Sequence, residues 1–273
     1  DQVFNLPIGV DVLLVILMAL FMFWGAEQLE RLIGKKDMSK EPKIRLAGAG
    51  ALLVAAIAVV AIGAPSLADR YNKLTFTRTE TVEQLNADPI VNTYVYTADQ
   101  MLEKRLVFIT PAEAYKAKYN QAMNPIYLDV RSEADYNLYH IEDAVNVPLE
   151  RITEIVPMLL SEPPTNSVFI VMSNDEAAAI QAWKLLSASS VSNVYILEGG
   201  VNNWIAFFGK DDTTFTAQPN PDVGDDQLAY IFPSALGSRY ESCSPNPVEY
   251  EALEFEAKIK LQLKRDKSGG GCG

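Results

Sequence analysis

Few side chains in this sequence combine a reactive group with a position that suggests chemistry. Cys272 is the penultimate residue and follows three consecutive glycines, and Cys243 is the other of the chain's two thiols. Because a glycine-rich segment is a flexible tether, Cys272 could lie in a mobile tail, form a disulfide with Cys243, or be delivered as a thiol to a metal or a redox partner. His140 is the single histidine, which excludes a metal site built from three histidines.

A second group of polar residues follows an apolar strand. Ser173, Asn174, Asp175 and Glu176 come directly after the predicted strand 168–172 and before a helical segment. Ser173 with Glu176 three positions later has the pattern of a capping box, in which side chains satisfy the first N–H groups of a helix. No neighbouring residue has the character of a base that would activate the Ser173 hydroxyl as a nucleophile.

The elements that position these residues alternate along the chain. Between residues 106 and 209, strand-like and helix-like segments follow one another, which predicts a parallel sheet with helices on both faces. Thr110 followed by Pro111 is typical of a helix start. Asp129 and Arg131 stand at the end of a buried strand, where open α/β sheets place their ligand sites.

Two long apolar runs, 8–26 and 46–64, precede this region. At 1.5 Å per residue, each would span roughly 28 Å, close to the thickness of a bilayer's hydrocarbon core. Between them lie six basic residues: Arg31, Lys35, Lys36, Lys40, Lys43 and Arg45. Because cytoplasmic loops are enriched in such residues, we predict a transmembrane hairpin over residues 1–68. Both termini and the following domain would then lie outside the cytoplasm, in a periplasmic or lumenal space.

The remaining segments are less regular. Residues 69–105 are predicted to form a juxtamembrane linker, with short helices at 81–86 and 98–104. Residues 210–273 form a C-terminal extension, in which the alternation of apolar and polar side chains at 255–263 favours a strand. The net charge of −12 argues against a nucleic-acid partner, because phosphate backbones require a basic surface.

Two runs of residues carry a resemblance to a known family. One begins Leu128-Asp-Val-Arg and continues through His140 to Pro148, and the other is Glu198-Gly-Gly-Val-Asn-Asn-Trp204. Over roughly residues 107–209 they closely resemble the rhodanese family of single-domain sulfurtransferases. The resemblance implies a rhodanese-like α/β fold for residues 106–209. It also implies architectural roles for six motif residues: Asp129, Arg131, His140, Gly199, Gly200 and Trp204.

The same resemblance predicts a loop without its usual chemistry. In active members of the family a cysteine nucleophile follows the apolar strand, and here Ser173 stands in that place. The resemblance implies a cradle of backbone N–H groups at the helix start, which stabilises a thiolate and the sulfur bound to it. A serine hydroxyl cannot form a persulfide, and Ala178 stands near the place of the family's basic loop residue. Asp175 and Glu176 put carboxylates where an anionic substrate would lie, so we predict no catalytic residue here. An altered pocket for a cationic or neutral ligand stays open.

The leading hypothesis is a catalytically inactive, membrane-anchored rhodanese-like protein that serves as a structural or interaction subunit of a larger membrane complex. It predicts two N-terminal transmembrane helices followed by an α/β domain. The membrane and other subunits would be its partners, and no cofactor, metal or nucleic acid is expected. The alternative is a sulfur-handling protein in which Cys272 carries persulfide sulfur in place of the missing active-site cysteine.

Overall fold

The computed structural model contains a five-stranded parallel sheet. It describes residues 8–34, 48, 50, 51, 54, 65–84, 87–163, 165–209, 218–232 and 250–261. In chain order the helices are α1 (Ile8–Ile33), α2 (Leu67–Asn72), α3 (Ala98–Glu103), α4 (Pro111–Tyr119), α5 (Glu133–Leu138), α6 (Val156–Ser161), α7 (Ala177–Ala188) and α8 (Gly200–Phe208). The strands are β1 (Thr75–Gln84), β2 (Ala87–Thr97), β3 (Phe108–Ile109), β4 (Asn124–Asp129), β5 (Val145–Asn146), β6 (Ser167–Met172), β7 (Val194–Leu197), β8 (Gln218–Pro219) and β9 (Tyr230–Ile231). The chain divides into two compact units, of which Leu67–Arg265 contains the sheet and the other contains α1.

The middle strand of the sheet is buried on both faces. The strands follow the order β3-β7-β6-β4-β5, and each neighbouring pair is parallel. All six residues of β6 are buried. Phe169 and Val171 join one apolar cluster, whereas Ile170 and Met172 join a second one. Strands covered on both faces are continuously apolar, and the apolar run at 168–172 forms such a strand. The predicted α/β fold with a parallel sheet is confirmed.

A hairpin of β1 and β2 packs against the first cluster. Trp183 of α7 stacks on Phe76 of β1 at 5.7 Å between ring centroids and meets the edge of Tyr71 at 6.5 Å. The helix predicted at 81–86 is wrong, because β1 continues to Gln84. The physical reason is the alternation of β-branched threonines along β1, which favours an extended chain. The helix predicted at 98–104 is confirmed as α3.

The C-terminal residues pack against the second cluster. Tyr250 contacts Tyr115 and Phe208, with ring centroids 5.7 and 5.1 Å apart. The strand predicted at 255–263 is wrong over 255–261, the part that the structure describes, because no strand is assigned there. Ile259 and Leu261 nevertheless pack on the cluster, so the alternation of apolar side chains reflects burial without strand pairing.

Side chains of the domain, rather than a neighbouring strand, form hydrogen bonds with the backbone of residues 258–260. Oε1 of the buried Glu113 accepts hydrogen bonds from the backbone N–H groups of Lys258 and Ile259, each at 2.7 Å. The hydroxyl of Tyr195 accepts from the N–H of Lys260 at 2.8 Å. Arg78 of β1 donates to the carbonyl oxygen of Lys258 at 3.1 Å. The C-terminal segment is therefore tied both to the sheet and to the hairpin.

The two predicted membrane spans require correction. In the first, residues 8–26 are helical, but α1 continues to Ile33 and its last turns carry Glu27, Glu30 and Arg31. Throughout the part of the chain that the structure describes, no helix combines the length and the apolar character that a bilayer crossing needs. Most of the second span, 46–64, lies outside the described residues. The predictions of a transmembrane hairpin, a membrane location and an extracytoplasmic domain are therefore wrong.

Glu113 predicts a pH dependence of stability. Burial raises the pKa of this carboxyl group, although the N–H groups of Ile259 and Lys258 and the charges of Lys258 and Arg78 oppose the shift. Its Oε2 has no hydrogen-bond partner among the described residues. Because the folded pKa lies above the unfolded value, Glu113 contributes stability that is fully present below about pH 4.3 and is lost as the pH rises through the folded pKa.

Glu113→Gln keeps an oxygen acceptor for the two N–H groups and cannot ionise. We expect its thermal unfolding midpoint to rise relative to that of the unchanged protein as the pH is increased from about 4 to about 7. The exposed Glu103→Gln serves as the control and should follow the unchanged protein at each pH. A constant difference between Glu113→Gln and the unchanged protein across this range would contradict the prediction.

Candidate functional site

The loop between β6 and α7 lies at the carboxyl end of the middle strand and rests on the start of α8. The carbonyl oxygen of Ser173 accepts from the N–H of Val201 at 2.9 Å, and that of Asn174 accepts from the N–H of Asn202 at 3.0 Å. Gly199 and Gly200, which begin α8, have φ angles of +65° and +58°. This left-handed backbone suits glycine, and it lets α8 approach the loop.

Ser173 is buried and its hydroxyl is engaged. Ser173 is 1% exposed, and its Oγ accepts a hydrogen bond from the N–H of Ala179 at 3.2 Å. The predicted capping box with Glu176 does not form, because Glu176 makes no capping hydrogen bond at the start of α7. Oδ1 of Asp175 instead accepts from the N–H groups of Glu176 and Ala177. Asp175 therefore takes the capping role at the start of α7.

Glu176 is held by an arginine from outside the predicted domain. Arg105 donates to both carboxylate oxygens of Glu176, at 2.7 and 3.1 Å, and to Glu198 at 3.0 Å. The N–H of Gly199 also donates to Glu176, at 2.8 Å. The hydrogen bond to Glu176 raises the pKa of Arg105 above its usual value, against the opposing effect of burial. The carboxylate expected in the substrate position is thus neutralised by an ion pair.

Asp226 of the C-terminal extension occupies the other side of the loop. Its Oδ1 accepts from the N–H of Asp175 and its Oδ2 from the N–H of Ala178, both at 2.8 Å. In return, Oδ2 of Asp175 accepts from the N–H of Asp226 at 2.8 Å. The side chain of Asn174 donates to the carbonyl oxygen of Asp226 at 2.9 Å. A carboxylate of the chain itself therefore lies against the N–H groups at the start of α7.

The two carboxyl groups of this contact shift in opposite directions. Burial alone would raise the pKa of Asp175, but hydrogen bonds from Ala177, Asp226 and Glu176 outweigh it and hold that pKa below its usual value. Burial and the neighbouring Asp175 raise the pKa of Asp226, although two N–H donors oppose the rise. Asp175 is thus the better stabilised anion of the pair.

Behind the loop, Asp129 and Arg131 form a buried ion pair. Their residues are 0% and 4% exposed, and Nη2 of Arg131 lies 2.6 Å from Oδ2 of Asp129. Nη1 of Arg131 donates to the Asn174 side chain at 3.1 Å, and Nη2 donates to the carbonyl oxygen of Tyr139 at 2.6 Å. Buried charges need such complete pairing, so these contacts are of the kind that an architectural role requires.

The other motif residues also lie in packed surroundings. His140 is 4% exposed, stacks on Tyr136 at 3.9 Å and bonds to its carbonyl oxygen at 2.9 Å through Nδ1. Trp204 is buried against Phe208 in the second cluster. Cys243 and Cys272 lie outside the described residues. Among the residues that are described, no group of three or more His, Cys, Asp or Glu side chains is placed to hold a metal.

Arg105 and Asp226 were missed by the reasoning from sequence. Each lies far along the chain from the loop, 71 residues before Glu176 and 51 residues after Asp175. A motif records neighbours in sequence, and no spacing rule connects residues at such separations. The loop itself was found because its members are consecutive.

The parallel sheet and its surrounding helices define an α/β domain. The loop after β6 lies at the carboxyl end of the middle strand, where α/β domains bind their ligands. Residues 110–207 match the model of the family described as Rhodanese-like domain. The chain therefore contains a rhodanese-like domain, which includes β6, α7 and the loop between them.

Several solved structures are similar to this part of the chain. A protein from Bacillus halodurans is 23% identical and covers 40% of this chain and 80% of its own, with a TM-score of 0.33. The rhodanese-like domain of an Anabaena sp. protein is 21% identical over 43% of this chain and 92% of its own, with a TM-score of 0.32. A single-domain sulfurtransferase from Saccharomyces cerevisiae is 17% identical over 38% and 92%, with a TM-score of 0.33. No curated protein matches the chain.

Gly200 predicts a large loss of stability on a minimal substitution. A Cβ atom at this position would lie 2.2 Å from the carbonyl oxygen of Asp175 and 2.4 Å from that of Ser173. These are backbone atoms, which cannot move aside as the end of a flexible side chain could, and Gly200 has a positive φ. We expect Gly200→Ala to lower the free energy of unfolding by roughly 3 kcal/mol or more, measured by chemical denaturation.

Gly224→Ala is the matched control. Its added Cβ would meet only the end of the exposed Gln227 side chain, at 3.2 Å. We expect a change within about 0.5 kcal/mol, as for ordinary surface substitutions. Equal losses in the two variants would show that Gly200 does not pack on the loop as described.

Proposed function

We propose that this rhodanese-like domain is non-catalytic and that the protein acts as a structural or interaction subunit of a larger assembly. The observation that carries the first part is the state of Ser173. The residue in the nucleophile's place is a serine that is 1% exposed, and its oxygen accepts the N–H of Ala179. A buried, hydrogen-bonded hydroxyl is a poor nucleophile without an adjacent base, and the single histidine is bound to Tyr136.

The charges around the loop support the same proposal. Asp175, Asp226 and Glu176 place three carboxylates at or beside the loop, and Arg105 pairs with one of them. Sulfur donors and sulfur-loaded thiols are anions, so carboxylates at this position oppose their approach. An active site for anionic sulfur requires the reverse arrangement, with unoccupied N–H groups and positive charge.

The hairpin of β1 and β2 supports an interaction role. Its outward face carries Thr77 opposite Val95 and Thr79 opposite Thr93. Val91 and Val95 are 60% and 63% exposed. In the part of the chain that is described, neither strand of the hairpin pairs with a third strand, and exposed strand edges readily pair with another chain. These features favour a binding surface on the hairpin over a purely intramolecular role.

An activity assay tests the non-catalytic proposal. We expect the purified full chain to produce no thiocyanate from thiosulfate and cyanide above the uncatalysed rate. Ser173→Ala should be indistinguishable from the unchanged protein. Thiocyanate formation that Ser173→Ala abolishes would show that the serine site is catalytic and would end the proposal.

The same samples address the alternative carrier role of Cys272. Intact-mass measurement after exposure to thiosulfate should show no added sulfur atom if the protein is non-catalytic and carries no persulfide. An added sulfur atom that Cys272→Ser removes and Cys243→Ser leaves in place would favour the carrier instead.

Substitution on the hairpin tests the interaction role. Val95→Lys places a charge on the outward face of β2, whereas Met158→Lys does so at an equally apolar and 52% exposed site on α6. We expect subunits that co-purify in stoichiometric amount with the unchanged protein to be lost with Val95→Lys and kept with Met158→Lys. Retention of the same subunits with both variants would exclude the hairpin face as the binding surface.

A further inference from the structure

The segment Gln218–Phe232 forms a loop of its own, which we call the 218–232 loop. Its two ends pair as the short antiparallel strands β8 and β9, and the N–H of Asn220 donates to the carbonyl oxygen of Ala229 at 2.8 Å. Leu228 and Phe232 are buried, at 8% and 7% exposure, in the second apolar cluster. The loop is thus a small closed unit that is attached to the domain by a few side chains.

Two polar attachments join this unit to the domain. At the first, Asp226 bonds to the loop after β6 through Asp175, Ala178 and Asn174, as described above. At the second, the side chain of Asn202 donates to the carbonyl oxygen of Gln227 at 2.8 Å and accepts from the N–H of Ala229 at 2.7 Å. Asn202 belongs to α8, whose start also supports the loop after β6.

Asp226 adopts a backbone conformation that most residues avoid. Its φ is +51°, in the left-handed region, which aspartate adopts more often than most residues with a side chain. In this conformation both the carboxylate and the N–H of Asp226 face the loop after β6. The carboxylate accepts from the N–H groups of Asp175 and Ala178, and the N–H donates to the Asp175 carboxylate.

We propose that the 218–232 loop is a latch over the loop after β6, and that the Asp226 carboxylate keeps it closed. While it is closed, the N–H groups of Asp175 and Ala178 cannot be offered to any other acceptor. Release of the 218–232 loop exposes both groups and frees the Asn174 side chain, without unfolding the parallel sheet. This inference does not depend on the proposed function, because it concerns access to the site and not its chemistry.

Hydrogen exchange separates a latch from a merely structural contact. Four N–H groups are bonded across the contact, those of Asp175, Ala178, Asp226 and Ala229. Two others, those of Ala179 and Val201, are bonded to Ser173 within the domain. A latch predicts that the first four exchange through one shared opening and that the last two exchange more slowly with the core.

The experiment is residue-resolved amide exchange of the full chain with Asp226→Ala. We expect the amides of Asp175, Ala178 and Ala229 to exchange about tenfold faster or more, as for lost hydrogen bonds to a charged acceptor. The amides of Ala179 and Val201 should be unchanged. Asp225→Ala, at the exposed neighbouring position, is the matched control and should leave all of these rates unchanged.

Two results would overturn the latch. Equal acceleration at Ala179 and Val201 would show that Asp226 supports the whole domain, and no acceleration at Asp175 and Ala178 would show that it does not close the site. Should Asp226→Ala fail to fold, Asn202→Ala releases the other attachment and must show the same pattern. Thiocyanate formation in the activity assay would end the non-catalytic proposal and leave this test intact.

Discussion

The loop after β6 begins with two buried residues, Ser173 and Asn174, and buried backbone groups must find hydrogen-bond partners within the protein. Its carbonyl groups are satisfied by the first turn of α8, through Val201 and Asn202. That arrangement requires α8 to begin in contact with the loop, and only glycine at position 200 permits the approach. The N–H groups at the start of α7 also need hydrogen-bond acceptors. The acceptors that bind them determine whether the site can receive a ligand.

In this chain those N–H groups are taken by carboxylates. Asp175 accepts from its own helix start, and Asp226 accepts from Asp175 and Ala178. The start of a helix carries partial positive charge, so an anion there is stabilised. The same property would stabilise a bound anion from solution. Internal and external acceptors therefore compete for one set of donors, and the internal acceptor is tethered to the protein.

The parts that sequence reasoning could predict are those recorded by neighbouring residues. The apolar run of β6, the threonine and proline that begin α4, and the paired glycines before α8 are all local patterns, and the structure contains the corresponding elements. The hairpin was harder to predict because more than half of its residues are polar, although the alternating threonines of β1 favour a strand. The ion pair of Arg105 with Glu176 could not be predicted from the sequence, because its partners are 71 residues apart and charged residues are common on any surface.

The membrane prediction failed for a different physical reason. A bilayer crossing requires about 20 consecutive, predominantly apolar residues within one continuous helix, and no helix in the part of the chain that the structure describes meets this requirement. Along α1, apolar residues are followed within the same helix by Glu27, Glu30 and Arg31. An apolar run and an apolar helix are therefore different properties, and only the first can be read by counting residues.

The serine at position 173 and the aspartate at position 226 are best understood together. A site that admits sulfur anions needs unoccupied N–H groups, so it could not tolerate a tethered carboxylate on those groups. Conversely, a helix start without a thiolate leaves partly buried N–H donors that lower stability unless another acceptor reaches them. Ser173 supplies one acceptor, to Ala179, and Asp226 supplies two more. Loss of the nucleophile and closure of the loop are thus consistent with each other. Without the nucleophile, a carboxylate on the N–H groups blocks no reaction, and with the carboxylate in place, these N–H groups do not lack an acceptor.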